Sequence, residues 1–105
     1  MMLEVEIDED ARLAVLRGEL DLSSVEMLTC AMHPLVARGG DLEIDMEAVR
    51  FVDSTGLQGL LSLAQMLGPD GRVTIVRPRR GLCRLLDIAG LGGRFELVDP
   101  EPPGD

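Results

Sequence analysis

Phe51-Val52-Asp53-Ser54-Thr55-Gly56-Leu57 decides the reading of the fold. Two apolar residues suited to a strand lead into an acid, two hydroxyls and a glycine. Leu57 then opens a run with helical spacing, in which Leu57, Leu60, Leu61, Ala64 and Leu67 fall on one stripe. Gly68-Pro69-Asp70-Gly71 stops that run. A strand that turns through a polar cap into a helix is part of a strand–helix–strand unit, and the rest of the chain repeats the alternation.

Upstream, Leu42, Ile44 and Met46 alternate with Glu43, Asp45 and Glu47, the period of a strand with one face in the core and the other in water. Met2 to Ile7 and Leu13 to Arg17 read as two further strands, separated by the acidic turn Asp8-Glu9-Asp10. Ser23 or Ser24 is suited to cap a helix whose apolar stripe is Val25, Leu28, Met32, Leu35 and Val36. Pro34 is expected to kink or split that helix, and Gly39-Gly40 to end it. Downstream, Val73 to Val76 reads as a strand and Leu82, Leu85, Leu86 and Ala89 as the apolar face of a third helix. Gly90-Leu91 fits a glycine C-cap with its hydrophobic contact. Phe95 to Val98 reads as a last strand, and Pro100 to Asp105 as a polar tail expected to fray.

Strands alternating with helices imply parallel neighbours joined by crossovers. The expected architecture is α/β: a single domain over residues 1–99, a mixed and mostly parallel β-sheet with helices mainly on one face, and a polar tail over residues 100–105.

Composition removes several classes of function. At 105 residues the chain holds one domain with a single core, and 46% apolar residues argue against disorder. A net charge of −9 opposes binding to a phosphate backbone, so no nucleic-acid partner is expected. All ten basic residues are arginine, which excludes a Walker-type phosphate loop and any lysine Schiff base. With Phe51 and Phe95 as its two aromatics, the chain has no stacking platform for bases or sugars. No apolar run approaches the roughly 18 residues of a membrane span. The acidic N-terminus does not resemble a signal peptide, and a cytoplasmic location is expected. Cys30 and Cys83 are too few for a disulfide framework or a zinc site; both fall in apolar helical patterns and read as small core residues. No metal or cofactor is expected.

Four chemistries compete for Asp53-Ser54-Thr55-Gly56. An aspartic protease needs Asp-Ser/Thr-Gly twice in a β-rich fold, and neither condition is met. A serine hydrolase needs Gly-x-Ser-x-Gly, but Val52 stands at the first glycine position. The one histidine, His33, lies just before Pro34 and reads as a surface residue. Helix capping explains Asp53, Ser54 and Thr55, because their oxygens accept the unpaired amides of a first turn. It leaves Gly56 unexplained, since glycine there costs up to about 1 kcal/mol relative to alanine. Close approach by another backbone or by a partner protein would account for it. A phosphorylation switch also suits the segment: a phosphate at a helix N-terminus sits at the favourable end of the dipole and alters the surface without unfolding the domain.

Three segments in order resemble the STAS family, in the branch of the anti-sigma factor antagonists. Phe51 to Leu57 is similar to that branch's hydrophobic-Asp-Ser-Ser/Thr-Gly-Leu motif. Gly18-Glu19-Leu20-Asp21 resembles the end of its early strand, and Leu85-Leu86-Asp87-Ile88-Ala89-Gly90-Leu91 its helix ending in glycine and leucine. The resemblance implies a binding module and not an enzyme. Such a module binds an anti-sigma factor that is also a serine kinase, is phosphorylated by it at the serine after the aspartate, and is restored by a serine phosphatase. By position, Ser54 is then the phosphoacceptor, with Asp21, Asp53, Thr55, Gly56 and Leu57 on the partner-binding surface. ATP would be bound by the kinase. Alone, the chain would be a monomer or a weak dimer, without direct membrane insertion. The resemblance also admits a scaffold subunit of a stress-signalling complex and a small subunit of a transport complex.

Charge is uneven along the chain. Residues 1–50 hold twelve acids and four arginines, about −8, whereas residues 72–84 hold five arginines and no acid. The basic stretch reads either as a rim balanced across the fold or as a second contact patch between Arg77 and Arg84.

Overall fold

The computed structural model describes residues 2–104; Met1 and Asp105, the outer ends of the expected domain and tail, lie outside the described residues. Five strands form one sheet in the order β1 (Glu4–Asp8), β2 (Leu13–Leu20), β3 (Leu42–Val52), β4 (Val73–Val76), β5 (Glu96–Val98). The first pair is antiparallel and the other three are parallel, so the sheet is mixed and mostly parallel, as the alternation implies. Helices α1 (Val25–Ala37), α2 (Ser54–Leu67) and α3 (Arg80–Ala89) fill the crossovers, and a 3₁₀ turn, Gly92–Arg94, precedes β5.

The core lies between the helices and one face of the sheet. Alternate residues of β2 and β3, including Leu16, Leu20, Ile44 and Met46, are buried against Leu28, Met32 and Leu35 of α1 and Leu60 and Leu63 of α2. Each buried leucine contributes on the order of 2 kcal/mol. The intervening residues of the strands point the other way, to an open sheet face.

Four details depart from the sequence reading. First, Phe51-Val52 is not a separate strand but the end of an 11-residue β3. Four steps of β2, from Val15 to Glu19, face six of β3, from Asp45 to Phe51, so β3 bulges twice. The bulges break the period-two pattern after Glu47 without ending the strand. Second, α1 runs through Pro34 unbroken. It ends at Ala37, just before Gly39 and Gly40, which both have positive φ as their place predicts, and the Gly39 amide bonds Val36 O (3.0 Å). Arg12 ties the helix to the segment beyond it by donating to Leu35 O (2.9 Å), Gly39 O and Asp41 O (3.1 Å). Third, the cysteines are not core residues: Cys30 is exposed and Cys83 half-buried. At 100° per residue, Cys30 lies opposite the Leu28–Met32 stripe of α1. Burial raises the Cys83 thiol pKa, and the nearby Asp87 adds to the rise.

Fourth, the tail expected to fray is anchored at Glu101. Its carboxylate accepts a hydrogen bond from Arg80 N (2.9 Å) at the start of α3 and pairs with Arg79 and Arg80, while its own amide bonds Pro78 O. The Arg80 amide first, and then the arginine charges, lower its pKa. With Arg77 paired to Asp45 and Glu47, the basic stretch is largely neutralised inside the chain. That favours the balanced rim over a second contact patch. The other end of α3 follows expectation: Gly90 is left-handed, and the amides of Gly90 and Leu91 bond Asp87 O and Leu86 O.

Candidate functional site

Two neighbouring parallel strands, β2 and β3, finish side by side, with Leu20 opposite Val52. Asp53 N donates to Leu20 O (3.2 Å), which ties the two ends together just as each chain turns into its helix. Asp21 and Asp53 therefore stand on adjacent turns at the C-terminal edge of the sheet, the place where open parallel sheets present their sites.

In the second turn Asp53 is the N-cap of α2. Its Oδ1 accepts from Gly56 N (2.8 Å) and its carbonyl from Leu57 N (3.0 Å). Ser54, the first helical residue, is exposed, and its hydroxyl makes no hydrogen bond with any described residue. Thr55 is half-buried; Gly56 and Leu57 are buried. A Cβ on Gly56 would lie 2.4 Å from Leu20 O and 2.9 Å from Leu20 Cγ, so the glycine is required by the backbone of β2. That accounts for the residue that capping left unexplained. Gly59, one turn on, answers a similar approach by Val25 of α1.

In the first turn the hydroxyls are bound. Asp21 Oδ1 accepts from Ser23 N (3.0 Å), Ser23 Oγ (2.7 Å) and Ser24 Oγ (3.2 Å). Ser24 Oγ also donates to Glu19 O (2.9 Å) and accepts from Asp21 N (3.0 Å). Ser24 stands at the N-cap position of α1 but makes no side-chain cap, because its oxygen is committed to the turn behind it. The Ser23 hydroxyl first, with the further bonds from Ser23 and Ser24, holds the Asp21 carboxyl below its ordinary pKa.

Two apolar side chains flank these turns, and the reading of the sequence did not assign them to the site. Leu22, between Asp21 and Ser23, is 75% exposed, and Phe51, two residues before Asp53, is 51% exposed. A leucine inside an otherwise polar turn is a legible signal; Phe51 was hidden because a strand residue reads as buried. Beside Phe51 a groove of about 220 Å³ runs between the end of β3 and the start of α3, lined by Val49, Phe51, Val52, Gly81 and Leu82 among others. His33 is exposed on α1, and among the described residues no group of His, Cys, Asp and Glu is placed to hold a metal.

A family model described as "Mlab, STAS domain" matches residues 3–99. Over 75 residues the chain is 35% identical to the anti-sigma-B factor antagonist of Bacillus subtilis (strain 168), which covers 70% of this chain and 69% of that protein. The crystal structure of an anti-sigma factor antagonist from Mycobacterium paratuberculosis aligns with a TM-score of 0.78 at 26% identity, over 91% of this chain and 85% of that one. The Bacillus cell fate determinant SpoIIAA, in its phosphorylated form, aligns with a TM-score of 0.66 over 91% of this chain and 90% of that one. At 23% identity that last likeness is one of fold.

Proposed function

The chain belongs to the STAS domain family, in the branch of the anti-sigma factor antagonists, and from that premise we propose that it binds an anti-sigma factor and is released by phosphorylation of Ser54. The observation that supports this most directly is the state of the Ser54 hydroxyl. It is exposed, free of hydrogen bonds and at the first position of a 14-residue helix. A kinase can reach it, and a phosphate of about −1.5 to −2 charge would sit at the positive end of the helix dipole. The fold survives because Asp53 goes on capping Gly56.

What changes is the surface. A neutral hydroxyl becomes a dianion beside Asp53 and Asp21, in a region whose exposed apolar groups are Leu22 and Phe51. A partner that packs these side chains closely, or shows an acidic group to the turn, is expelled. About 3 kcal/mol suffices for a hundredfold loss of affinity. In this reading the partner is an anti-sigma factor with serine kinase activity that binds the ATP itself, a serine phosphatase reverses the mark, and this chain is a binding module in the cytoplasm that catalyses nothing. Asp21, Asp53 and Thr55 lie on the contact surface, while Gly56 and Leu57, buried beneath it, hold the turn in shape; Thr55 is the poorer acceptor because it is half-buried.

Intact-mass spectrometry of the protein from its native cells, with fragmentation, is the direct test: the phosphate is expected on Ser54. In pull-down with the anti-sigma factor, Ser54→Ala retains binding. Ser54→Asp, with about half the charge of a phosphate, binds roughly tenfold more weakly while its circular dichroism is unchanged. A phosphate confined to another residue, or equal binding by Ser54→Asp and the parent, would return Ser54 to a plain helix-start residue.

A further inference from the structure

The face of the sheet turned away from the three helices is uncovered, although parallel strands are usually packed on both faces. Register places its side chains in rows that cross all five strands. One row runs Glu6, Val15, Asp45, Val76, Val98; the next runs Asp8, Leu13, Glu43, Thr74, Glu96. Aliphatic side chains thus form the floor: Leu13, Val15 and Val76 are half-buried and Val98 is 43% exposed. Carboxylates stand between and around them. The arginines on this face are already engaged, Arg17 with Glu6 (3.2 Å) and Arg77 with Asp45 and Glu47. A broad hollow of about 740 Å³ opens over β1 and β2 at the acidic end.

We propose that this open sheet face is a second docking surface, and that its occupant is a basic amphipathic helix of a partner protein. Such a helix would lay its aliphatic stripe on Val15, Val76 and Val98 and its lysines or arginines among Glu6, Glu43 and Glu96. Charge complementarity selects this occupant. A second copy of the chain would bring the same carboxylates face to face, and a phosphate backbone would be repelled. The aliphatic floor selects against a purely electrostatic partner, since a small basic solute would leave Val98 in water. The surface lies broadside to the strands, whereas Ser54 follows the C-terminal end of β3, so the two surfaces are separate places on the molecule. The proposal does not depend on the reading of Ser54.

The probe is a synthetic amphipathic peptide of about 18 residues, leucine on one helical face and lysine on the other, titrated into the ¹⁵N-labelled protein. Amide shifts are expected to concentrate on β2, β4 and β5. The triple variant Glu6→Gln/Glu43→Gln/Glu96→Gln is expected to bind about tenfold more weakly. The control Glu26→Gln/Asp70→Asn/Asp87→Asn, which removes the same charge from exposed positions elsewhere, should bind within about twofold of the parent. Equal weakening in the two variants, shifts centred on the helices, or no binding of the peptide overturns the proposal. So does concentration-dependent dimerisation through this face, which would make a second copy the occupant.

Discussion

The turns after β2 and β3 begin with the same residue type in the same place and use it oppositely. In the first, Asp21, Ser23 and Ser24 bond one another, and the hydroxyl of Ser24, a residue only 7% exposed, links Glu19 O to Asp21 N. In the second, Asp53 reaches forward to Gly56 N and leaves the next hydroxyl, Ser54, unbonded in solvent. Two serines of one chain, each at the start of a helix, thus have different fates: one is structural, the other is available for chemistry. The lesson is that a hydroxyl beside an acid does not mark a modification site. What separates the two is whether the acid bonds the hydroxyl or bypasses it.

The contrast can be broken in several ways, and the largest effect is expected at Gly56. Gly56→Ala sets a methyl 2.4 Å from Leu20 O, and forcing β2 and α2 apart should cost about 3 kcal/mol in urea denaturation. A loss below about 0.5 kcal/mol would mean that the turns are not locked together there.

Next comes the direct comparison of the serines. Ser24→Ala strands Asp21 N, a partly buried donor, and should lower stability by about 1–2 kcal/mol. Ser54→Ala removes no bond and should stay within about 0.5 kcal/mol of the parent. Equal losses in the two would erase the distinction on which the proposed switch rests. Asp53→Ala sharpens the same point from the acid's side: losing the bond to Gly56 N should cost about 1 kcal/mol by the same measurement.

The smallest effect concerns acid. The Asp21 pKa is lowered in the folded protein by its serine bonds. Its stabilising contribution is therefore present above the unfolded-chain value near pH 4 and is lost as pH falls through the lower folded value. Between about pH 4 and pH 2, Asp21→Asn should show a shallower loss of thermal stability than the parent. Parallel curves would mean that the charge of Asp21 adds nothing to the turn.

Much of the fold was legible because its elements obey simple periods. Leu42 to Glu47 alternates, α2 repeats its leucines on one stripe, and Gly90 ends α3 as its position predicts. The misreadings share one cause: a partner distant in sequence. The bulges of β3 are set by pairing with β2, and the anchoring of the tail by Arg79 and Arg80. Local composition contains none of these contacts. The cysteines and the unbroken helix at Pro34 are exceptions; for Cys30, its angle from Leu28 already put it outside the stripe.

At the site the division is the same. Sequence alone placed an acid, a hydroxyl and a glycine at the start of a helix, because capping and glycine chemistry act over three or four residues. Only the tertiary structure decided which hydroxyl is free and why Gly56 is glycine. The need for glycine depends on the end of β2, some thirty residues away along the chain, and only the parallel pairing of β2 with β3 brings it alongside; the free hydroxyl follows from which amide the neighbouring acid accepts, a choice that composition does not fix.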